Sequence, residues 1–204
     1  MRHTVVVATT AQPEPGLRER KRRRTRAALI DAGRRLFEER GYDATTIADI
    51  AAAADIGTRT FFAYFESKEQ LLFPESDHRV QAALDAIADR AESDAPAQVL
   101  LRALDDSDGG EELVGPLAQL RLRLIRDVPA VQARALRRQL RAQSDIAAAL
   151  TASYPDLDLI TATSIVGAFV GAVSAAVQAL PEADAASRGR RLREAVAIAL
   201  GFGG

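Results

Sequence analysis

Residues 46–68, TIADIAAAADIGTRTFFAYFESK, constrain the fold more than any other stretch of the chain. Ile47, Ile50, Ala51 and Ala54 recur at the spacing of one helical face. Asp55-Ile56-Gly57 breaks that rhythm, and a second short helix then carries Phe61 and Phe65 on its inner side. Thr46 followed by Asp49 has the form of a capping box, which marks where the first of these helices starts. Two short helices across a tight turn make a helix-turn-helix, a shape whose second helix fits the DNA major groove.

The surrounding residues complete a three-helix unit. Thr25 is placed to cap a helix running to about Arg40, with apolar or small residues at 29, 32, 33, 36 and 37. Gly41 suits the position that ends it. Leu29, Leu36, Phe37, Ile47, Ile50, Ile56, Phe61 and Phe65 are the expected core. Ser67 with Gln70 predicts a capped fourth helix, which Pro74 interrupts or restarts.

Helical stripes fill the rest. Val80, Leu84, Ile87 and Ala91 form one, Pro96 opens another, and Asp105–Gly110 reads as a loop. Leu113, Leu117, Leu120 and Leu124 form a stripe disturbed by Gly115-Pro116. Pro129 opens a long arginine-rich helix to about Ser153, followed by helices near 156–180 and 185–200. Hydrophobic residues make up 48% of the 204, led by Ala and Leu, with no strand-like alternation. The expected class is therefore all-α.

Charge is unevenly placed. Residues 17–26, LRERKRRRTR, hold seven basic side chains and one Glu, whereas the whole chain has a formal charge of −1. A basic arm on an acidic body points to local anion binding, or else to a solvated charged run. Residues 1–17 read as a disordered leader that breaks at Pro13, Pro15 and Gly16, with Val5-Val6-Val7-Ala8 too short for a secretory core. A cytoplasmic location follows as the expectation. Zero Cys excludes disulfides and thiolate metal sites, and two His offer little for zinc, so no metal and no cofactor are expected. No nucleophile–base set or phosphate-cradling glycine loop appears, which argues against an enzyme.

From Leu159 to Pro181 no residue is charged, and Gly167-x-x-x-Gly171 lies in the middle. Such a motif in an apolar segment can be a transmembrane dimer face. Thr161, Thr163, Ser164, Ser174 and Gln178 moderate its apolarity, and the near flanks are acidic. A helix of a soluble bundle, approaching a partner through small residues, is the preferred reading, with no membrane partner.

The stretch from Arg26 to Leu72 resembles the amino-terminal domain of TetR-type transcriptional regulators. Ala32, Leu36-Phe37, Gly41-Tyr42, Thr45-Thr46-Ile47, Ile50-Ala51, Ala54-x-Ile56, Thr60, Tyr64-Phe65, Ser67-Lys68 and Leu71-Leu72 carry the resemblance. It implies a helix-turn-helix DNA-binding domain over 18–72, then a helical effector-binding and dimerisation domain over 73–204. Asp55 stands where such proteins usually have Gly, Gly57 where Ser or Thr often caps, and Phe62 where a tyrosine is frequent.

The implied partner is a near-palindromic double-stranded operator. At 100° per residue, Arg59 and Ala63 point away from Phe61 and Phe65 and so toward the groove. Arg59 can donate to guanine N7 and O6, and Ala63 offers apolar contact. Thr58, Thr60, Phe62 and Tyr64 flank them. Lys68 and Thr46 are expected on phosphates, and Arg22, Arg23, Arg24 and Arg26 on the backbone or adjacent minor groove.

For the second domain, the resemblance implies a homodimer through the last two helices, with Gly167, Gly171, Ala175, Leu192 and Val196 at the interface. It also implies a small hydrophobic or amphipathic effector, for which Leu117, Leu120, Leu124 and Phe169 are the candidate lining. The expected function is a ligand-responsive homodimeric repressor. The alternative is a helical interaction protein of the same fold that has lost specific operator binding.

Overall fold

The computed structural model describes residues 16–74, 76–106, 115–179 and 185–202, and within them every regular element is helical. The order is α1 (Leu17–Arg40), α2 (Ile47–Ala53), α3 (Thr58–Phe62), a 3-10 turn (Lys68–Leu72) and α4 (Ser76–Ala88). There follow α5 (Pro96–Asp106), α6 (Pro116–Asp127), α7 (Pro129–Ser153), α8 (Leu159–Ala179) and α9 (Ala185–Ala199). The fold is all-α.

α1 is longer than its apolar stripe predicts. It starts at Leu17 rather than after Thr25, so the basic run forms its first turns. Thr25 lies inside it and donates its hydroxyl to the Lys21 carbonyl at 3.1 Å. Arg and Lys are strong helix formers, and Glu19 pairs with Arg23 one turn on at 3.2 Å, so charge alone did not mark a coil. Leu17, assigned to the leader, opens the helix; residues 1–15 lie outside the described residues.

The fourth helix also differs from expectation. Ser67 makes no capping bond, and the Gln70 side chain instead accepts from the Glu66 N–H at 2.7 Å. Leu71, Leu72 and Phe73 are all buried, and Pro74 follows. Three consecutive apolar side chains at a crowded crossing, then a residue without an N–H, leave room for one tight turn. Gly33 of α1 approaches this turn so closely that a Cβ there would lie 2.7 Å from Leu71 Cδ1.

The first core gathers Leu29, Leu36, Phe37, Ile50, Phe61 and Phe65, with Ile47 and Ile56 packed against it. It does not end with the three-helix unit. Leu120 and Val131, from α6 and α7, are buried in the same cluster. A second core joins α4, α5, α7 and α8 through residues such as Ile87, Leu100, Leu150 and Val166. A third sets Val177 of α8 against Leu192 and Val196 of α9.

Candidate nucleic-acid interface and effector cavity

The capping box at α2 forms as read. The Thr46 hydroxyl accepts from the Asp49 N–H at 3.1 Å, and the Asp49 carboxylate accepts from the Thr46 N–H at 2.9 Å and its hydroxyl at 2.5 Å. These bonds hold the Asp49 carboxyl below its usual range. Thr46 is thus the N-cap of α2, a role compatible with the phosphate contact expected of it.

The turn between α2 and α3 closes by two backbone bonds. Ile56 N–H reaches the Ala51 carbonyl at 2.9 Å, and Asp55 N–H reaches that of Ala52 at 3.1 Å. This is a Schellman ending, which places one residue in the left-handed region. That residue is Asp55, at φ 56°. Ile56 follows directly and drops onto the first core, so α3 starts in a fixed direction.

α3 sorts its side chains by depth. Phe61 and Phe65 are buried, at 0% and 1% exposure, while Thr58, Arg59, Thr60, Phe62 and Ala63 are exposed and Tyr64 is half-buried. Phe62 is 57% exposed although it is a large apolar side chain, resting edge-on against Phe61 at 5.6 Å.

Two expected DNA contacts are used internally. Lys68 Nζ donates to the carbonyls of Tyr42 and Thr45, at 2.7 and 2.9 Å, and lies 4.0 Å from the centroid of the Tyr42 ring. Tyr42 also donates its hydroxyl to Glu69, and burial pushes its pKa well above the phenol range. Arg26 Nη2 donates to the Pro74 carbonyl at 2.9 Å, with the guanidinium 5.2 Å from the centroid of the Phe65 ring. Arg26 is thus bonded to the molecule's own junction, one turn beyond the exposed Arg22 and Arg23. Arg24 is exposed as well.

A cavity of about 770 Å³ opens between α4, α5, α6, α7 and α8. Phe169 lines it, as read from the sequence. Leu117, Leu120 and Leu124 do not; they pack into the first core. On α6 the cavity side is Arg121, Leu122, Ile125 and Arg126, roughly 140° around the helix from the leucine stripe. The strongest apolar stripe was drawn to the larger core, and the arginines were the residues left for the cavity.

The dimer residues also divide. Gly171 and Ala175 are exposed and Gly167 is half-buried, and a Cβ at either glycine would meet nothing within 4 Å. Leu192 and Val196 are buried within the protomer, at 1% and 0% exposure, because α9 turns its apolar stripe onto α8. Their side chains are therefore not at the protomer surface, where a dimer contact was expected of them. The exposed face of α8 runs through Ile160, Ser164, Ala168, Gly171, Ala175 and Gln178. By length and composition α8 could cross a membrane, with only 17% of its apolar window buried.

Residues 29–73, from the α1 core stripe to the buried Phe73, match the model for bacterial regulatory proteins of the tetR family. Over this segment the chain is similar to the tetR family. It is 38% identical over 130 residues to the HTH-type transcriptional regulator TcmR of Streptomyces glaucescens, covering 61% of this chain and 58% of TcmR. It is 39% identical over 79 residues to the HTH-type transcriptional repressor Rv3405c of Mycobacterium tuberculosis, covering 39% of this chain and 40% of that one. The matched region thus spans less than two thirds of either relative. A putative TetR-family regulator from Syntrophomonas wolfei shares the fold over 89% of this chain and 97% of its own, with a TM-score of 0.58 at 16% identity. One from Mesorhizobium loti does so over 87% and 96%, with a TM-score of 0.53 at 16% identity.

Proposed function

We propose that this chain is a cytoplasmic homodimeric repressor of the TetR type that binds a near-palindromic operator and releases it on binding a small ligand. One observation carries the reading. The exposed side of α3 presents Thr58, Arg59, Phe62 and Ala63, while Phe61 and Phe65 anchor the helix rigidly behind them. A short, buried-backed helix with a polar and apolar outer face is what major-groove reading requires. Arg59 reads guanine, Ala63 and Phe62 meet thymine methyls or sugar edges, and Thr58 and Thr60 reach phosphates or bases. Arg22, Arg23 and Arg24 add salt-dependent affinity along the backbone. Lys68 and Thr46 act chiefly by fixing the loop and helix ends that aim α3.

Dimerisation completes the site, since one five-residue helix gives limited affinity and two-fold symmetry supplies a second half-site. The uncharged exposed face of α8, made of small residues around Gly167, Gly171 and Ala175, supports helix-on-helix pairing there. The reading assigns 18–72 as the reading head and 73–204 as the effector and dimer body. The cavity supports a ligand-bound state in which the two heads take a different spacing and the operator is lost.

A gel shift against the DNA flanking the chain's own gene tests the reading. Wild type shifts a discrete fragment, and Arg59→Ala, with an unchanged circular dichroism spectrum, loses that preference. A wild type that shifts all fragments alike, or not at all, refutes it.

A further inference from the structure

Arg26 is the point at which the basic row of α1 enters the molecule. Arg22 and Arg18 precede it by one and two turns, about 40° and 80° away around the helix, and both are exposed. Arg26 itself is half-buried. Its Nη2 donates to the Pro74 carbonyl at 2.9 Å, and its guanidinium lies 5.2 Å from the centroid of the Phe65 ring. Pro74 is buried, and a carbonyl in such surroundings needs a donor from the protein.

Three elements meet at this side chain. Pro74 ends the turn that leads into α4, and Phe65 packs at 5.8 Å against Phe61, the ring that backs α3. α1 touches the same turn again at Gly33, where a Cβ would lie 2.7 Å from Leu71 Cδ1. Gly33 follows Arg26 by seven residues, which puts the two on one side of α1 and about 10 Å apart. A single contact would let α1 pivot on the turn, whereas two contacts fix its direction. Through Phe65, that direction also sets the tilt of α3.

We propose that Arg26 is a positioning residue for operator reading, which aims α3 by tying α1 and Phe65 to the Pro74 turn rather than by holding a phosphate. The inference rests on the repressor reading above and takes Arg26 out of its set of DNA contacts. The two roles differ measurably. Each phosphate contact adds about 0.9 to the slope of log affinity against log salt, whatever the DNA sequence. A positioning contact acts on base reading, which needs α3 at one fixed tilt. The exposed arginines of α1 have long, flexible side chains and reach phosphates over a range of tilts, so the slope is kept.

Fluorescence anisotropy on the full-length protein over a salt series tests it, with two labelled duplexes. One is the duplex that the wild type enriches from a random library, and the other is a scramble of it. Arg26→Gln should weaken the enriched duplex at least about tenfold and the scramble less than about twofold, with the salt slope unchanged. Arg26→Lys should recover part of the loss, since it can donate to the carbonyl but lacks the planar group beside Phe65. Circular dichroism checks that each variant is folded, and Arg26→Lys carries the test if Arg26→Gln is not. Equal weakening of both duplexes with a shallower slope assigns Arg26 to a phosphate and overturns the inference, as does unchanged binding of the enriched duplex. Amide exchange in the free protein reads the same contact without DNA. Residues 58–65 should exchange fastest in the glutamine variant, more slowly in the lysine variant and slowest in the wild type; equal rates overturn the inference. A wild type that enriches no duplex would refute the repressor reading, and the exchange order would still decide whether Arg26 holds α3.

Discussion

At the scale of single residues, side chains of similar type take opposite roles according to depth. Phe61 is the anchor of α3 and Phe62 is its exposed neighbour. Phe61→Ala should cost about 3–5 kcal/mol in a chemical denaturation curve, the usual penalty for a buried ring. Phe62→Tyr should leave stability unchanged and strengthen operator binding by about 0.5–1.5 kcal/mol, since the added hydroxyl can donate to a phosphate. Asp55 occupies the left-handed position of the Schellman turn, where a Cβ is strained. Asp55→Gly should therefore stabilise the fold by up to about 1 kcal/mol, seen as a higher melting temperature. A lower one would mean the Asp side chain supports the turn in another way.

Much of this scale was legible in the sequence. The depth of Phe61 and Phe65 followed from their four-residue spacing, and the Thr46–Asp49 box from a local pattern. Arg26 and Lys68 were not legible as internal clamps. Their partners are the carbonyls of Pro74, Tyr42 and Thr45, and a backbone acceptor far along the chain leaves no mark in a residue pattern.

At the scale of elements, helix ends decide the geometry. The Asp49 carboxylate accepts at the start of α2, and Asp158 accepts from the Ile160 and Thr161 N–H groups at 2.9 and 3.1 Å at the start of α8. The Thr161 hydroxyl and backbone bonds hold the Asp158 carboxyl below its usual range, as those of Thr46 do for Asp49. Groups whose folded pKa is depressed stabilise fully above the unfolded value, about 4, and cease to do so as pH falls through the lower folded value. Melting temperature should be flat from pH 7 to about 5 on their account, then fall. Asp49→Asn should lower the neutral plateau and shrink the acid fall; an unchanged plateau would deny the box a stabilising role.

The element pattern was legible where Pro and periodicity agreed, as at Pro96 and Pro129. It misled at α1, where the helix was expected to start at Thr25 although the arginine run before it is already helical. It misled again on α6, whose leucine stripe has one core on one side and a cavity on the other.

At the scale of the whole molecule, the reading head is not a bead on a linker. Leu120 and Val131 share its core, and Arg134 on α7 lies 3.9 Å from Glu66. The three-helix unit is thus joined to the helices around the cavity through packed side chains, the physical route that the proposed ligand response requires. The exposed face of α8 is the surface the proposed dimer would use. Gly171→Arg places a charge on that face, where an added Cβ meets no other part of the protomer within 4 Å. Sedimentation should then show a folded monomer with operator affinity reduced by orders of magnitude. A persistent dimer would move the interface elsewhere.

The central claim is that α3 reads sequence in DNA, twice per dimer. Selection from a random duplex library by the full-length protein tests it most directly. The account predicts strong enrichment of one near-palindrome whose half-sites lie about one helical turn apart or a multiple of it. A folded dimer that leaves the library as random as it began would contradict it.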